Sequence, residues 1–467
     1  MRHLVLSSLT AALVLAGCAS APVMQPVQVP VPTRFQDDGP RWTVAAPAES
    51  QDRGSWWKAF ADPALDRLVE QAALRNTSVL EAGARLAQAR ALVRSAGANR
   101  TPQVGVGVSA DRAAGLNTPA GAAPATLLQA GASLSWELDV SGRLARAQDA
   151  ASLDATAREA LLRSTTLMVQ AETAQTYLAL RALDAERTLV RETVAAYADT
   201  LRLTQRRHQA GDVGELDVVR VQSELASNEA EALALDRQRA QLAHALAVLV
   251  GDSASEFSLP AADWSPAVPA IPAGVPGTML ARRADVAAAQ AQLMAAQARV
   301  GIAQAAWFPS VALTTAGGFA SPDLGDLFKW SARAWSVGAL LSLPVFDGGR
   351  REAGVASAQA QLDAQLAQYR GQVLNAFREV EDQLSALRLL GEQSQAQGRA
   401  VDAARRASTI SETRYRNGMV SQLELLDARR SELRNRRQAL QIRAAQSQAT
   451  VGLIRALGGG WGNATAS

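Results

Sequence analysis

Two carboxylates, Glu424 and Asp427, stand three residues apart in "SQLELLDARRSEL" (421–433), so one helix face can present both. Fixed like charges bordering an aperture favour hydrated cations and disfavour free anions. Away from an aperture they are a solvated helix surface. The remaining reactive residue types point away from catalysis. His208 and His244 stand alone, with no His-Glu-x-x-His spacing, and His3 lies in the opening basic stretch. No Gly-x-Ser-x-Gly elbow surrounds any serine. The glycine clusters "GGGWG" and "DGGR" do not form a phosphate loop. The only cysteine, Cys18, makes neither an intrachain disulfide nor a metal site. No catalytic residue, cofactor or metal is expected.

Cys18 has a different chemistry available. It closes "MRHLVLSSLTAALVLAGC", a short basic start followed by an apolar run of signal-peptide length. The ending Leu15-Ala16-Gly17-Cys18 resembles a bacterial lipobox, in which the cysteine is lipidated and becomes the new N-terminus. Ala19 at the next position then reads as sorting to the outer membrane. An ordinary secretory peptide with a chance cysteine is the plainer alternative. A lipid anchors a chain without spanning the bilayer. The formal charge of +3 is nearly neutral for 467 residues and argues no nucleic-acid partner.

The elements that must position these groups come in duplicate. "HQAGDVGELDVVRVQSEL" (208–225) and "YRNGMVSQLELLDARRSEL" (415–433) share glycine, valine and leucine at a shift of 207 residues. The same shift superposes Arg75 on Arg282, Leu86 on Leu293, Pro102 on Pro309 and "LSWELDVSGR" (134–143) on "LSLPVFDGGR" (341–350). The non-helical landmarks align too, so one unit is used twice in tandem. The shift pairs Asp217 and Arg220 with Glu424 and Asp427, and His208 with Tyr415.

Each unit opens with helical text, 61–98 or 279–305, stopped by Pro102 or Pro309. The period then falls to two. Val104, Val106 and Val108 share one face; Leu128, Ala130, Ala132, Leu134 and Trp136 do likewise; so do Val311, Leu313 and Thr315, and Trp335, Val337, Ala339 and Leu341. Small and polar residues fill the alternate positions. Strands of about ten residues suffice for a tilted bilayer crossing, although two soluble hairpins would share the pattern. Long helices follow. Residues 143–210 contain no proline, and 350–417 match them. The stripe Leu362, Leu366, Tyr369, Val373, Phe377, Val380, Leu384, Leu387 steps by three and four, as in coiled-coil packing. Sixty-odd helical residues reach roughly 100 Å and need long antiparallel neighbours, which 213–250 and 420–457 supply. Gly211 and Gly418 sit where these helices must reverse, because glycine accepts the positive φ of a helix end.

Four strands do not close a barrel, and open edges in lipid cost several kcal/mol per unpaired backbone group. Other copies must close it, and three copies give twelve strands. The expected fold is therefore a mixed α/β membrane protein: a trimeric twelve-stranded β-barrel, four strands per protomer, continued by a long α-helical coiled-coil barrel, which the family resemblance given below implies is periplasmic, with internal tandem duplication. The segments are a signal peptide (1–17), a lipidated tether (18–55), a first repeat (56–250, hairpin 103–138, tip near 211), an inter-repeat segment (251–278), a second repeat (279–457, hairpin 309–344, tip near 418) and a flexible tail (458–467).

Three stretches carry a family resemblance: "WWKAFADPALDRLVEQAALRNTSVLEAGARLAQAR" (56–90), "RYRNGMVSQLELLDARRSEL" (414–433) and the "FDGGR" join (346–350). With them, 18–457 resembles the outer membrane factors of TolC/OprM type, in the lipoprotein branch called NodT-like. The resemblance implies a homotrimer in the outer membrane, docked to a periplasmic adaptor protein and an inner-membrane pump of the RND type, passing small toxic compounds or drugs. It implies that the tips Gly211, Asp212, Val213 and Gly418, Met419, Val420 meet adaptor helices. It also implies that Tyr415, through hydrogen bonds, and Glu424 and Asp427, as acidic rings, form a periplasmic gate. Tips that are plain helix turns, the exit duct of a type I protein exporter, and a non-pore envelope scaffold lipoprotein are the alternatives.

Overall fold

The computed structural model describes residues 55–114, 124–262, 264, 269 and 280–459. The expected signal peptide, Cys18, nearly all of the tether, most of 263–278 and residues 460–467 lie outside them. A 3-10 turn, Trp56–Phe60, is followed by α1 (Pro63–Arg75), α2 (Thr77–Ala98), β1 (Gln103–Ala113) and β2 (Ala125–Leu138). Then come α3 (Arg143–Gln209), α4 (Glu215–Leu249), α5 (Ala284–Ala305), β3 (Ser310–Ser321), β4 (Arg333–Ser342), α6 (Arg350–Arg416) and α7 (Gln422–Ala456). The repeats match closely: α3 and α6 are each 67 residues, α4 and α7 each 35. Among the described residues no helix is long and apolar enough to cross a membrane.

The chain forms two compact units, and both repeats contribute to each. The first holds Ala84–Ala160 and Ala287–Gly371; the second holds Leu161–Val286, Gln372–Ser467 and the stretch ending at Gly83.

In the first unit the strands form one antiparallel sheet in the order β1-β2-β3-β4. The register joins the four alternating patterns. Val106 pairs Ala132, Ala132 pairs Gly317, and Gly317 pairs Trp335, so the apolar sets of all four strands fall on one face. The opposite face carries Gly105, Ser109, Gln129, Ser133, Thr314 and Ser336. Val104, Val106, Val108, Val337 and Leu341 are exposed, a heavy cost for a sheet in water. At the centre, Gly131 and Gly318 are direct partners. A Cβ on Gly318 would lie 2.2 Å from the Ala130 carbonyl oxygen and 2.5 Å from the Gly131 Cα. Only glycine permits that approach. Among the described residues, the outer edges of β1 and β4 have no strand partner in the protomer.

Below the strands, Asp139 accepts from the backbone N–H groups of Leu144 (2.9 Å) and Ala145 (2.7 Å) at the start of α3. Asp347 does the same at α6, accepting from Gly349 (3.1 Å), Arg351 (3.2 Å) and the Arg351 Nε (2.6 Å). The two caps are one residue out of step under the 207-residue shift, yet perform one task.

In the second unit the opening helix expected over 61–98 is broken at Asn76, whose ψ is 131°. Its amide nitrogen donates to the Leu249 carbonyl (2.9 Å) and its oxygen accepts from the Ser78 N–H (2.9 Å). The second repeat breaks likewise, at Arg283, whose Nη1 donates to the Ala456 carbonyl (2.9 Å). Both anchors hold the last residue of a returning helix, 207 residues apart. Arg283, buried, is balanced by Asp285 (2.6 Å) and Glu379 (2.9 Å). Beyond each anchor, Gly251 (φ 76°) and Gly458 (φ 87°) turn the chain against the backbone of Arg75 and Arg282. The coiled-coil stripe holds: Val373 and Val380 are buried and its other members half-buried, whereas Leu374 and Leu389 outside it are exposed.

The opening "WWKAF" is packing, not chemistry. Trp56, Trp57 and Phe60 are buried with Leu65 and Val69, against Ala174 and Tyr177 of α3 and Val451 and Ile454 of α7. Asp62 caps α1 through the N–H of Ala64 (2.9 Å) and also accepts from the Tyr177 hydroxyl (2.6 Å). Arg181 Nε donates to that hydroxyl (3.0 Å). Burial, and then the bond to Asp62, push the Tyr177 phenol from 10.0 up to about 12. A raised acid pKa means the folded state holds its proton longer. The stabilisation is whole below pH 10 and is lost as pH climbs towards 12. Thermal unfolding followed by circular dichroism across this range should therefore fall more steeply for the wild type than for Tyr177→Phe; parallel curves would refute the assignment.

Candidate functional site

The two reversals close in the same way. At the first, the Gly211 N–H donates to the His208 carbonyl (2.9 Å) and the Asp212 N–H to the Arg207 carbonyl (2.8 Å). At the second, the Gly418 N–H donates to Tyr415 (3.0 Å) and the Met419 N–H to Arg414 (2.9 Å). This is the paired closure of a helix ending in a left-handed glycine, with φ at 81° and 72°. A Cβ on either glycine would meet nothing within 4 Å, so the demand is conformational. His208 Nδ1 lies 3.0 Å from the Val213 carbonyl and stiffens the first tip. Asp212 and Met419 are exposed, Val213 and Val420 half-buried. Leu216, Val219 and Leu423 lie exposed beside them, an apolar surface on each tip.

The helices leaving the tips differ. Gly214 begins α4 without a side-chain cap, whereas Ser421 caps α7 by accepting from the Glu424 N–H (3.3 Å). Glu424 and Asp427 then stand exposed on the first turns of α7. Neither has an ion-pair partner among the described residues. Their counterparts pair with each other, Asp217 with Arg220 at 3.9 Å. At these two matched positions the second hairpin carries two acids without an ion pair, where the first carries an acid and a base paired with each other.

Tyr415 is buried, with the Arg207 guanidinium 5.5 Å from its ring centroid. Its hydroxyl has no hydrogen-bond partner among the described residues, so the gate bonds that the resemblance implied are not made within the protomer. Nearby Gln422 Nε2 donates to Thr204 Oγ1 (3.0 Å) and Arg429 Nη1 to Thr200 Oγ1 (2.7 Å). Leu426 packs on Tyr197 and Val221. Farther along, Arg430 pairs with Glu224, and Arg437 with Glu231 (2.6 Å) and Glu186 (2.7 Å). The two hairpins are thus bolted together. Sequence reading missed this ladder. Its only signal was the seven-residue spacing shared by Arg430 and Arg437 with Glu224 and Glu231.

An apolar-faced open sheet carried on long paired helices narrows the choice of family, and comparison with known proteins settles it. The model of the outer membrane efflux proteins matches twice, over residues 68–252 and 275–459. The chain belongs to the outer membrane efflux protein family. The two matches are themselves displaced by 207 residues, so the duplication is a property of the family unit. The chain is 31% identical to the probable efflux pump outer membrane protein TtgC of Pseudomonas putida, covering 99% of this chain and 96% of that one. It is also 31% identical to the outer membrane protein OprJ of Pseudomonas aeruginosa, over 97% and 95% of the two chains. Among solved structures, the outer-membrane channel OprN superposes with a TM-score of 0.85 at 32% identity, covering 94% of this chain and 99% of that one. As an outer membrane efflux protein the chain has the family fold: a trimeric barrel, four strands from each protomer, continued by a helical barrel. It is a transport channel of the outer membrane.

Proposed function

We propose that this outer membrane efflux protein is the passive exit duct of a tripartite pump, energised by an inner-membrane RND-type transporter through a periplasmic adaptor. The carrying observation is the open sheet, apolar on one face and small and polar on the other, with both edges unpaired. Closure among copies pairs the edges, turns the apolar face to lipid and encloses a wet lumen. The apolar tips around Gly211, Asp212, Val213 and Gly418, Met419, Val420 receive adaptor helices. Lipid on Cys18 adds a second anchor to the barrel. The duct carries no ATPase or proton-coupling chemistry of its own. Similar proteins are named for toluene efflux, antibiotic efflux and pyoverdine export, which supports small-molecule cargo chosen by the pump. Deleting the gene and challenging the cells with antibiotics, dyes, solvents and metals tests this. Sensitisation supports the reading; loss only of a secreted protein would move it to a type I exporter.

Glu424 and Asp427 narrow the closed mouth as acidic rings, one of each per protomer. In planar-bilayer recordings, Glu424→Gln with Asp427→Asn should raise single-channel conductance and lower cation preference by several-fold, on the order of the effect of removing ring charges in a small pore. Unchanged conductance and selectivity would remove both as gate groups.

A further inference from the structure

The four helices that connect to the sheet, α2, α3, α5 and α6, all do so at one end, through residues 98–103, 138–143, 305–310 and 342–350. The β3–β4 connection, 322–332, therefore lies at the opposite rim, which faces outward once the helices are periplasmic. The apolar face ends there in an unusual way. On β1 the positions Val104, Val106, Val108 and Ala110 continue to Arg112; on β4 the positions Leu341, Ala339, Val337 and Trp335 continue to Arg333. The corresponding ends of the inner strands are uncharged, Thr126 and Ser321. A cation thus terminates the lipid-side face of each edge strand and of neither inner strand.

Arg333 lies 3.6 Å over the Trp330 ring, and its Nε donates to the Trp330 carbonyl (2.8 Å). Those contacts occupy one nitrogen and leave the terminal pair of the guanidinium for another partner. Trp330, Phe328 and Trp335 around it are exposed. No carboxylate among the described residues pairs with Arg112 or Arg333. Asp111 falls on the other face, where Ser109 donates to it (3.1 Å), and Asp326 is held by Lys329 (2.5 Å). Barrel closure sets β4 of one copy beside β1 of the next. Both cations then lie on the lipid side of each subunit joint, each towards its strand's outer end, with Arg333 at the height of the exposed Trp330 and Trp335, residues of the kind that mark the bilayer interface. Guanidinium groups at that height cannot lie in hydrocarbon and reach for headgroups. Planar forked donors match phosphate oxygens best.

We propose that Arg112, Arg333 and Trp330 form a binding site at each subunit joint for a phosphate-bearing lipid of the outer leaflet, which seals the joint from outside. The site rests on the barrel reading, so the test uses full-length trimer already shown to conduct ions in a bilayer. Bisphosphorylated lipid A and its dephosphorylated form are titrated into this trimer and bound lipid is counted by native mass spectrometry. The wild type should bind the phosphorylated form about tenfold more tightly or better, and Arg112→Gln and Arg333→Gln should each weaken that binding about fivefold. Arg333→Lys, which keeps the charge, should retain most of it. Equal binding of the two lipids by the wild type overturns the proposal, as does an unchanged double Gln variant. Displacement of lipid A by inorganic phosphate at equal concentration also overturns it, because the site would then hold free anions. Should the Gln variants fail to assemble, the wild-type comparison of the two lipids decides.

Discussion

Gly318→Val should reduce the membrane-inserted trimer at least about tenfold. The first carbon added at this position lies 2.2 Å from the Ala130 carbonyl oxygen, and both obstacles are backbone, which cannot rotate away as a side chain can. The strands β2 and β3 must part at their centre, breaking ladder bonds on both sides of the Gly131–Gly318 pair. Overpacking at a fixed backbone costs about 3 kcal/mol or more, enough to reduce assembled trimer by at least about tenfold. The control is the adjacent residue. Gly317 lies on the lipid-side face with nothing within 4 Å of its would-be Cβ, so Gly317→Ala should assemble normally. Heat-modifiable migration of outer-membrane fractions reads both. A normal trimer from Gly318→Val would show that the close approach is relieved by bending elsewhere in the sheet.

Asp184→Ala should be nearly as damaging, through charge rather than volume. Asp184 is 2% exposed in its side chain and receives Arg239 (2.6 Å), Arg187 (3.1 Å) and Arg181 (3.4 Å). Two of these arginines also hold the start of the inter-repeat segment: Arg181 donates to the Pro260 carbonyl (2.7 Å) and Arg239 to the Leu259 carbonyl (2.7 Å). Removing the acid leaves Arg181 and Arg239 without a counter-charge, while Arg187 keeps Asp236, at a cost of about 3–5 kcal/mol. The expected result is a large drop in the temperature at which the trimer dissociates, and early proteolytic cleavage near Pro260. Asp199→Ala is the comparison. That carboxylate is 75% exposed and pairs only with the exposed Arg202, so its loss should cost less than about 1 kcal/mol. Equal effects of the two substitutions would show that Asp184 is not the hub.

Local pattern carried most of the fold into view. Alternation put Val104 to Val108 on one face of β1, and Trp335 to Leu341 on one face of β4, before any register was known, because a period of two allows only two faces. The positive φ at Gly211 and Gly418 was legible because a long helix can reverse there only through a residue tolerant of it. What stayed hidden depends on residues far apart in the chain. Nothing in "QAGAS" or "AGGFA" tells which glycines meet across β2 and β3. The Asp184 hub joins positions 181, 187 and 239, and Tyr415 meets Arg207 across 208 residues. The break at Asn76 was missed because asparagine interrupts a helix only when its amide has somewhere to bond, here the end of α4. Glu424 and Asp427 were singled out by their spacing, and the shift already set them against Asp217 and Arg220; only the 3.9 Å pairing of those two needed coordinates.

The anchors at Asn76 and Arg283 carry a consequence for how such a duplicated chain can change. A neutral amide does in one half what a guanidinium with two acid companions does in the other. Six identical single units around an axis would have to accept each substitution at all six places at once. Fusing two units halves that burden, so one half can acquire a cation and its escorts while the other stays neutral. The halves are not interchangeable, and a three-fold ring of this chain carries three anchors of one kind and three of the other.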